Sequence, residues 1–555
     1  MRIAILLAAA LPSIAYAQGP PPPPPPPPPL QPLGAPVAPP ANPITQNKSD
    51  LGRALFWDEQ LSSNGTMSCG SCHFPSRGGS DPRTSIGGVG STHPGADGVF
   101  GTPDDVAGSA GVTASVANGS YLLDPSFGLD PQVTSRKSPS NLAAAYAPIL
   151  FWDGRATGEF RDPITGQVLI PAGAALESQV LAPPVSSVEM GHTGIDWNDV
   201  AQRIASSTPL RLSPQVPASL STWIAGRSYP ELFGEVFGTT DVTPARIAMA
   251  IATYQRTAVA NQTPLDAFLA TGQGLTPLEQ QGFNLFGQLN CRLCHAGNRF
   301  TDDQFHYIGV RPVNEDLGRF DVTGLPGDRG AFKTPSLRNV RDRGPYFHDG
   351  RFATLEEVVD FYDRGGDFNA PNKAPAIQPL GLTQQQKNAL VAFLRRPLAD
   401  PRAANETGPF ERPLLYTESN RVPIVYGKAT LGTGWIAPQM VALEPPSVGN
   451  TSMTIGLARG LGGAPAYLGI DVVPSLAGTT VLGVESHLAL SPALWLIPVG
   501  LLQGTGPGGG FTSQSFSLQL PALVGATFYA QWFVFDTGAS GGLFSASPAA
   551  ALTLF

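Results

Sequence analysis

The chain has few cysteines, few charged residues and no long apolar run beyond its first residues. Its 555 residues include four cysteines, and all four fall in the two motifs described below, so no disulfide is expected. Charged residues make up 14% of the chain and the net charge is −8, which argues against nucleic acid as a partner. No run of about eighteen apolar residues occurs, so no transmembrane segment is expected.

Residues 1–17 have the pattern of a secretory signal peptide. Arg2 supplies a positive charge, residues 3–11 form a short apolar core, and Ala15-Tyr16-Ala17 is a small-X-small cleavage site. The mature protein is therefore expected to be exported, either to the periplasm or to the cell surface and the extracellular space.

The cysteines form two Cys-X-X-Cys-His motifs, Cys69-Gly70-Ser71-Cys72-His73 and Cys291-Arg292-Leu293-Cys294-His295. This spacing predicts covalent c-type haem, because two thiols add to the two vinyl groups and the adjacent histidine binds the iron. A zinc site would need further cysteine or histidine ligands at short spacing, and no cysteine is left to supply them. A thioredoxin-like dithiol would not need the histidine in both copies. The sequence therefore predicts two covalently bound haem c groups.

Composition divides the rest of the chain into four segments. Residues 18–47 are rich in proline and are expected to form a polyproline II spacer, with a recognition role as the alternative. Residues 48–240 and 241–415 have a mainly helical pattern and contain one haem motif each. Residues 416–555 have few charges and many glycine-rich turns. The predicted fold is mainly α, with two cytochrome c-like haem domains followed by a C-terminal β-sandwich-like domain of unknown role.

Apolar periodicity places individual elements within these segments. Spacings of three and four predict helices over 197–205, 244–259, 277–289, 355–362 and 384–394. Thr276 and Pro277 have the pattern of an N-cap and a first helical residue, so the third of these helices is expected to lead into the second haem motif. Alternating runs predict strands over 453–457, 479–484, 515–520 and 526–534.

A glycine-rich insertion covers residues 87–119. Its acidic residues, Asp97, Asp104 and Asp105, are separated by glycines and could form a calcium loop, although the EF-hand spacing is not met. A solvated surface loop is the alternative that we favour.

Several further segments accompany the two haem motifs in a fixed order. After the first motif they are Phe151-Trp152-Asp153-Gly154-Arg155, Leu176-Glu177-Ser178-Gln179 and Val188-Glu189-Met190-Gly191; after the second they are 330–340, Pro345-Tyr346-Phe347-His348-Asp349-Gly350 and 361–366. Together they resemble the bacterial dihaem cytochrome c peroxidase and MauG family over residues 50–398, with an extra insertion at 158–174. The resemblance does not include the proline-rich segment or the terminal β region.

The resemblance implies an oxidoreductase in which His73 anchors a peroxidatic haem. In the family a Glu and a Gln serve the open side of that haem, and here they match Glu189 and Gln179. Peroxide cleavage needs a base that moves a proton between the two oxygens and a polar partner that orients the peroxide. A carboxylate in a partly dry pocket has a raised pKa, which suits this role. The alternative for Glu189 is a surface residue near a helix start.

The resemblance also assigns Trp152 a place between the haems, as an electron relay, and Tyr362 a place beside the second haem. Trp152 is equally explained as an aromatic core anchor, and the two roles are compatible. Tyr362 stands where typical cytochrome c peroxidases have methionine, as in MauG, so it is expected to bind the second iron opposite His295. A phenolate favours oxidised iron and lowers the potential. A purely structural tyrosine is the alternative.

Two departures from the family pattern are informative. The stretch 85–89 lacks the histidine that closes the first haem in typical members, and His93 lies beyond it. The resemblance therefore implies a first haem that can be open without reductive activation. Lys137 stands where the family's interhaem calcium site has an asparagine. Its charge opposes Ca²⁺, although main-chain carbonyls could still contribute ligands.

The sequence thus predicts a MauG-like dihaem peroxidase. Hydrogen peroxide would be reduced at the first haem, with electrons supplied through the second by a small cytochrome c, a cupredoxin or a protein substrate. A dihaem electron-transfer protein without catalysis is one rival, against which Glu189 and Gln179 argue. A haem-dependent oxygenase acting on a polymer, as in related latex-cleaving dihaem proteins, is another, with the β region as a substrate- or surface-binding module.

Overall fold

The computed structural model describes residues 30–555, so the predicted signal peptide and residues 18–29 lie outside the described residues. The described end of the proline-rich segment differs from the expected spacer, because it packs on the protein. Leu33 is buried and its N–H donates to Asp266 (3.0 Å). Asn42 is fully buried and donates to Glu177 (2.7 Å). These contacts bind residues 30–47 to both helical units described below.

Thirteen α-helices lie within residues 30–555. They are α1 Gln46–Trp57, α2 Cys69–Cys72, α3 Ala175–Val180, α4 Trp197–Ser206, α5 Ala218–Ile224, α6 Tyr229–Phe237, α7 Pro244–Thr257, α8 Pro264–Thr271, α9 Pro277–Gln288, α10 Phe320–Thr323, α11 Leu355–Asp363, α12 Gln384–Leu394 and α13 Pro401–Ala404. None of the helices in this part of the chain is long and apolar enough to cross a membrane.

Two hydrophobic clusters divide the helices into two units. The first helical unit is built on α1, α4, α6 and α7, with Leu51, Val200 and Ile251 fully buried in its core. The second helical unit is built on α9, α11 and α12 around Phe300 and Phe393. Helix α7 lies beyond the expected boundary at residue 240 but packs on α1, because its apolar face completes the first core.

Each unit contains one close crossing of two helices at a glycine. A β-carbon on Gly52 of α1 would lie 1.9 Å from the carbonyl oxygen of Ala250 on α7. A β-carbon on Gly282 of α9 would lie 1.9 Å from the carbonyl oxygen of Ala389 on α12. Only glycine permits such an approach of two backbones. The two haem motifs therefore follow helices that are packed by the same device.

Sixteen strands lie within the described residues, and the long ones are in the terminal region. They are β1 Thr92–His93, β2 Val106–Ala107, β3 Phe160–Arg161, β4 Val168–Ile170, β5 Phe305–His306, β6 Phe332–Lys333, β7 Ile424–Tyr426, β8 Gln439–Val441, β9 Met453–Gly462, β10 Pro465–Asp471, β11 Pro474–Val481, β12 Val484–Leu488, β13 Trp495–Leu501, β14 Gly506–Phe516, β15 Thr527–Ala539 and β16 Gly542–Thr553.

The terminal β region has two larger antiparallel sheets. One has the order β13-β10-β15-β16-β7 and the other β14-β9-β8, while β11 and β12 form a separate hairpin. Leu457 of β9, Leu468 of β10 and Trp532 of β15 are fully buried in one cluster shared by both sheets. Alternating side chains of the two sheets therefore form a common core.

The terminal β region rests on the first helical unit and on the glycine-rich insertion. The Tyr121 hydroxyl donates to buried Glu444 (3.0 Å), and Thr454 Oγ1 donates to the Gly119 carbonyl (3.0 Å). Elsewhere in the insertion, Asp104 accepts hydrogen bonds from the N–H groups of Ala96 (2.7 Å) and Asp97 (3.0 Å). The Asp104 carboxylate thus stabilises the turn of its own loop, as expected for the solvated surface loop that we favoured over a calcium loop.

The predicted helices are confirmed, and α12 has the predicted limits. Thr276 caps α9 and Pro277 is its first residue. The strand predicted over 479–484 is wrong, because a turn at Leu482 and Gly483, both with positive φ, joins β11 to β12. The strand predicted over 515–520 ends at Phe516. Helices hold 28% of the residues and strands 21%, so the mainly α expectation is met only in part.

The crossing at Gly282 predicts a strong effect of one added methyl group. G282A is expected to force α9 and α12 apart and to lower the free energy of unfolding of the second helical unit by about 1–3 kcal/mol. Urea denaturation followed by circular dichroism measures this loss. G287A on the same helix is the control, since a β-carbon there meets only the Arg292 Nε at 3.9 Å. Equal stability of the two variants would contradict the close packing.

Candidate functional site

Both motif histidines are held by a hydrogen bond to a backbone carbonyl. His73 Nδ1 lies 3.0 Å from the Gly79 carbonyl oxygen, and His295 Nδ1 lies 3.0 Å from that of Phe300. A carbonyl oxygen only accepts, so Nδ1 carries the proton and Nε2 presents a lone pair. Burial lowers the pKa of His73, and it lowers the pKa of His295 to about 4. Both imidazoles are therefore neutral and suited to bind iron.

Each motif opens on a cavity. The first cavity, of about 260 Å³, is lined by residues that include Cys69, Cys72, His73, Gln179 and Glu189. The second cavity, of about 220 Å³, is lined by residues that include Cys291, Cys294, His295 and Tyr362. Each cavity has two thiols and a neutral imidazole on its wall, which is the donor set that a c-type haem requires.

The thiols lack the low pKa of a reactive dithiol. Burial raises the pKa of Cys69 to about 12 and that of Cys291 to about 11, whereas a redox dithiol needs a thiolate. Cys294 lies near Asp302 and His306, with ligand atoms within 4.8 Å of one another. The hydrogen bonds to Asp302 and Cys294 raise the pKa of His306 to about 10, so this imidazolium pairs with the Asp302 carboxylate at 2.8 Å.

Glu189 and Gln179 face the first cavity from neighbouring segments. Gln179 lies on α3, and Glu189 lies in a turn in which Ser186 Oγ accepts a hydrogen bond from the Glu189 N–H (3.2 Å). Burial raises the pKa of Glu189, while the charge of Arg155 acts in the opposite direction. A carboxyl group with a raised pKa holds its proton more readily and can act both as acid and as base.

A buried ion pair holds the helix that carries Gln179. Glu177 is fully buried and accepts two hydrogen bonds from Arg256 of α7, at 2.7 and 2.8 Å. Asn42 adds a third, at 2.7 Å. Sequence reasoning did not find this network, because nothing in the sequence shows that Asn42 or Arg256 lies near residue 177. The pair fixes α3 to the first core and thereby positions the cavity wall.

Trp152 lines both cavities. Its Nε1–H donates to the Lys137 carbonyl (2.7 Å), and its own carbonyl accepts from the Lys333 N–H (2.8 Å). The indole ring lies 6.3 Å from the His348 ring, measured between centroids. These contacts give Trp152 a fixed position in the wall between the cavities, and they leave both of its expected roles open.

Tyr362 lies on α11 and lines the second cavity among aromatic rings. The nearest of them are Phe361 and Phe347, with centroids at 5.1 and 6.3 Å. No residue within 30–555 makes a hydrogen bond to its hydroxyl, and burial raises the pKa of Tyr362. Ionisation of this phenol would therefore need a cation in the cavity.

Residues 85–89 do not reach the first cavity. Ile86 and Val89 of this stretch are exposed. His93 packs near Phe127 instead, and among the described residues that line the first cavity His73 is the only histidine. No second histidine of this part of the chain is thus placed to close the first cavity.

Lys137 is buried in the wall shared by the two cavities. Its N–H donates to the His348 carbonyl (2.7 Å), and its Nζ contacts Ser80 Oγ. Burial lowers the pKa of Lys137 to about 7, and the charge of Arg343 acts in the same direction. Sequence reasoning singled out Lys137 but missed Arg343, which also lines both cavities and stands outside every recognised motif.

Comparisons with known proteins show which family this chain resembles. Residues 46–274 match the family described as di-haem cytochrome c peroxidase. The chain is 33% identical over 370 residues to the methylamine utilization protein MauG of Methylorubrum extorquens, covering 66% of this chain and 82% of that protein. It is 30% identical over 428 residues to cytochrome-c peroxidase IdrP1 of Denitromonas iodatirespirans, covering 71% and 92%. For cytochrome c551 peroxidase of Nitrosomonas europaea the identity is 29% over 403 residues, covering 71% and 89%.

The Glu177–Arg256 pair predicts a large and local loss of stability. E177Q leaves the Arg256 guanidinium buried without its counterion, and we expect a loss of about 3–5 kcal/mol in the free energy of unfolding. Urea denaturation of E177Q and of the control variant E159Q measures this loss of stability. E159Q is the matched control, because its pair with Arg161 is exposed, and this change is expected to cost about 0–1 kcal/mol. A loss no larger than that of E159Q would refute a supporting role for the pair.

Proposed function

The chain belongs to the di-haem cytochrome c peroxidase and MauG family of oxidoreductases, and we propose that it reduces hydrogen peroxide at a haem held in the first cavity. The observation that carries this proposal is the placement of Glu189 and Gln179 on the wall of the cavity that contains His73. An electron-transfer protein without catalysis has no need of a buried acid at that position.

The proposed reaction converts H₂O₂, two electrons and two protons into two molecules of water. When bound, the haem supplies the iron at which the O–O bond is cleaved. Glu189 takes the proton from the near oxygen of the peroxide and returns it to the far oxygen, which leaves as water. The raised pKa of Glu189 suits this transfer, because a weakly acidic group both accepts and releases a proton readily. The Gln179 amide orients the peroxide by hydrogen bonding.

Electrons are proposed to reach the first cavity from the second through Trp152. The indole lies on both cavity walls and is fixed by its hydrogen bond to the Lys137 carbonyl, so it connects the two sites without having to move. The external donor is a small cytochrome c, a cupredoxin or a protein substrate. Export through the predicted signal peptide would bring the enzyme to such a donor in the periplasm or at the cell surface.

Tyr362 is proposed as the residue that, together with His295, would hold the iron of a haem bound in the second cavity. The support is its position on the cavity wall and its hydroxyl, which has no hydrogen-bond partner among residues 30–555. An anionic oxygen ligand stabilises the oxidised metal and keeps the potential of this site low.

Replacement of Glu189 tests the proposed function. E189Q keeps the size of the side chain but removes the proton acceptor, so peroxide turnover is expected to fall by roughly 10²–10⁴-fold. A peroxide assay with an artificial electron donor measures the change, and absorption spectra establish that both haems remain bound. E159Q, an exposed change remote from the cavities, is the control and should retain full turnover.

Electron paramagnetic resonance of the resting oxidised protein separates this proposal from a pure electron carrier. We expect one high-spin and one low-spin ferric centre, because the first cavity has no second histidine ligand among the described residues. Two low-spin centres, before and after partial reduction, together with full turnover in E189Q, would overturn the proposal.

Replacement of Tyr362 tests the second cavity separately. Y362F removes the phenol oxygen, so we expect a changed spectrum and a higher potential for the second haem only, by at least tenfold in the reduction equilibrium, about 59 mV. Spectroelectrochemistry measures both. Y346F is the matched control, since Tyr346 lines the same cavity but donates to the Arg341 carbonyl (3.3 Å). A Y362F spectrum identical to that of the unaltered protein would remove Tyr362 from the metal.

A further inference from the structure

The wall between the two cavities is positively charged. The residues that line both cavities are Lys137, Ser138, Pro139, Ser140, Trp152, Lys333, Pro335 and Arg343. Three of these residues are cationic and none carries a carboxylate. The shared wall therefore presents an excess of positive charge to two cavities at once.

One of the three cations is balanced by the protein. Lys333 Nζ lies 2.7 Å from Asp303 Oδ1. Lys137 and Arg343 differ, because neither has a carboxylate within ion-pair distance among residues 30–555. Their hydrogen-bond partners are neutral: Lys137 Nζ contacts Ser80 Oγ, and Arg343 Nη2 donates to the Ser336 carbonyl (2.5 Å).

Burial makes this lack of a counterion costly. Lys137 is only 4% exposed and Arg343 is half-buried. Burial lowers the pKa of Lys137 to about 7 and that of Arg343 to about 10, while the charge of Asp81, beyond ion-pair distance, acts in the opposite direction on Lys137. A buried charge without a partner costs several kcal/mol, so cations in such positions normally bind an anion. No described carboxylate fills this role. An anion supplied by what occupies the cavities would keep Lys137 charged, whereas without one its pKa of about 7 leaves it partly neutral at neutral pH.

We propose that Lys137 and Arg343 form a cationic junction that binds the propionate carboxylates of both haems. A haem carries two such carboxylates on one edge, and charge-assisted hydrogen bonds from ammonium and guanidinium groups suit them. This inference rests on the two haems of the family and not on peroxide chemistry. In this proposal the Lys137 ammonium group supplies positive charge at the wall where the family has its calcium ion.

The junction has a measurable consequence for both haems. A cation close to a haem disfavours the oxidised form, which carries the greater positive charge, and so raises the reduction potential. Because Lys137 and Arg343 line both cavities, removal of either charge should lower the potentials of both haems together. A residue that merely fills space on one side would affect one haem at most.

The test compares K137M and R343M with the charge-conserving variants K137R and R343K. Spectroelectrochemistry at one pH, with EDTA present so that no divalent metal contributes charge, gives the potential of each haem. We expect each methionine variant to shift both reduction equilibria toward the oxidised form by at least tenfold, about 59 mV. In the conservative variants, and in R161M, which removes an exposed cation, the reduction equilibrium constant of each haem should remain within threefold of that of the unaltered protein.

Three outcomes decide the proposal. Shifts in both haems for K137M or R343M, with recovery in the conservative variants, support it. Unchanged potentials in both methionine variants, or a shift confined to one haem, overturn the shared junction. If K137M does not retain haem, recovery of haem content by K137R together with a double shift in R343M supports it, and no recovery overturns it. These potentials are measured without peroxide, so failure of the proposed peroxidase reaction would leave the result unaffected.

Discussion

One hydrogen bond in each helical unit determines what the cavities can do. The Nδ1–H of a motif histidine is bound to a backbone carbonyl five or six residues later, at Phe300 and at Gly79 respectively. This bond selects the tautomer, orients the ring and leaves the other nitrogen free to face the cavity. The cysteines alone would only tether a cofactor. The hydrogen bond provides a nitrogen that is able to bind a metal, and the remaining wall residues then distinguish one cavity from the other.

Both cavities contain a motif histidine held in this way, and they differ in the other residues that line them. The first has a buried acid and an amide, Glu189 and Gln179, which suit proton transfer to a small substrate. The second has Tyr362 among aromatic rings, which suits a saturated and less reactive centre. Trp152 and two cations that have no protein counterion lie between them. Under the proposed function, one wall of the protein separates the cavity that reduces peroxide from the cavity that supplies electrons.

Local patterns predicted local structure well. The helix from Pro277 was predicted from its cap and its periodicity, because both signals lie within the element itself. The strand over 479–484 failed because Gly483 makes a turn inside an apolar run, where alternation cannot distinguish one strand from two. The Cys-X-X-Cys-His spacing predicted two covalently bound haem groups, and each motif lines one of the two cavities. The Arg256–Glu177 pair could not be predicted, since its members meet only through tertiary packing of segments distant in sequence. Arg343 belongs to no recognised motif, and its place on both cavity walls depends on how the two units pack.

The path of the chain after the second helical unit has a practical consequence. Phe410 and Leu415 return to the core of the first helical unit, and the buried Glu59 carboxylate accepts hydrogen bonds from the N–H groups of Tyr416 (2.5 Å) and Thr417 (3.3 Å). A shortened protein that ended at residue 398, where the family resemblance stops, would leave the buried Glu59 carboxylate without these two hydrogen-bond donors. A dihaem fragment without the β region should therefore extend past Ser419, whose hydroxyl closes this turn on the Tyr416 carbonyl (2.6 Å).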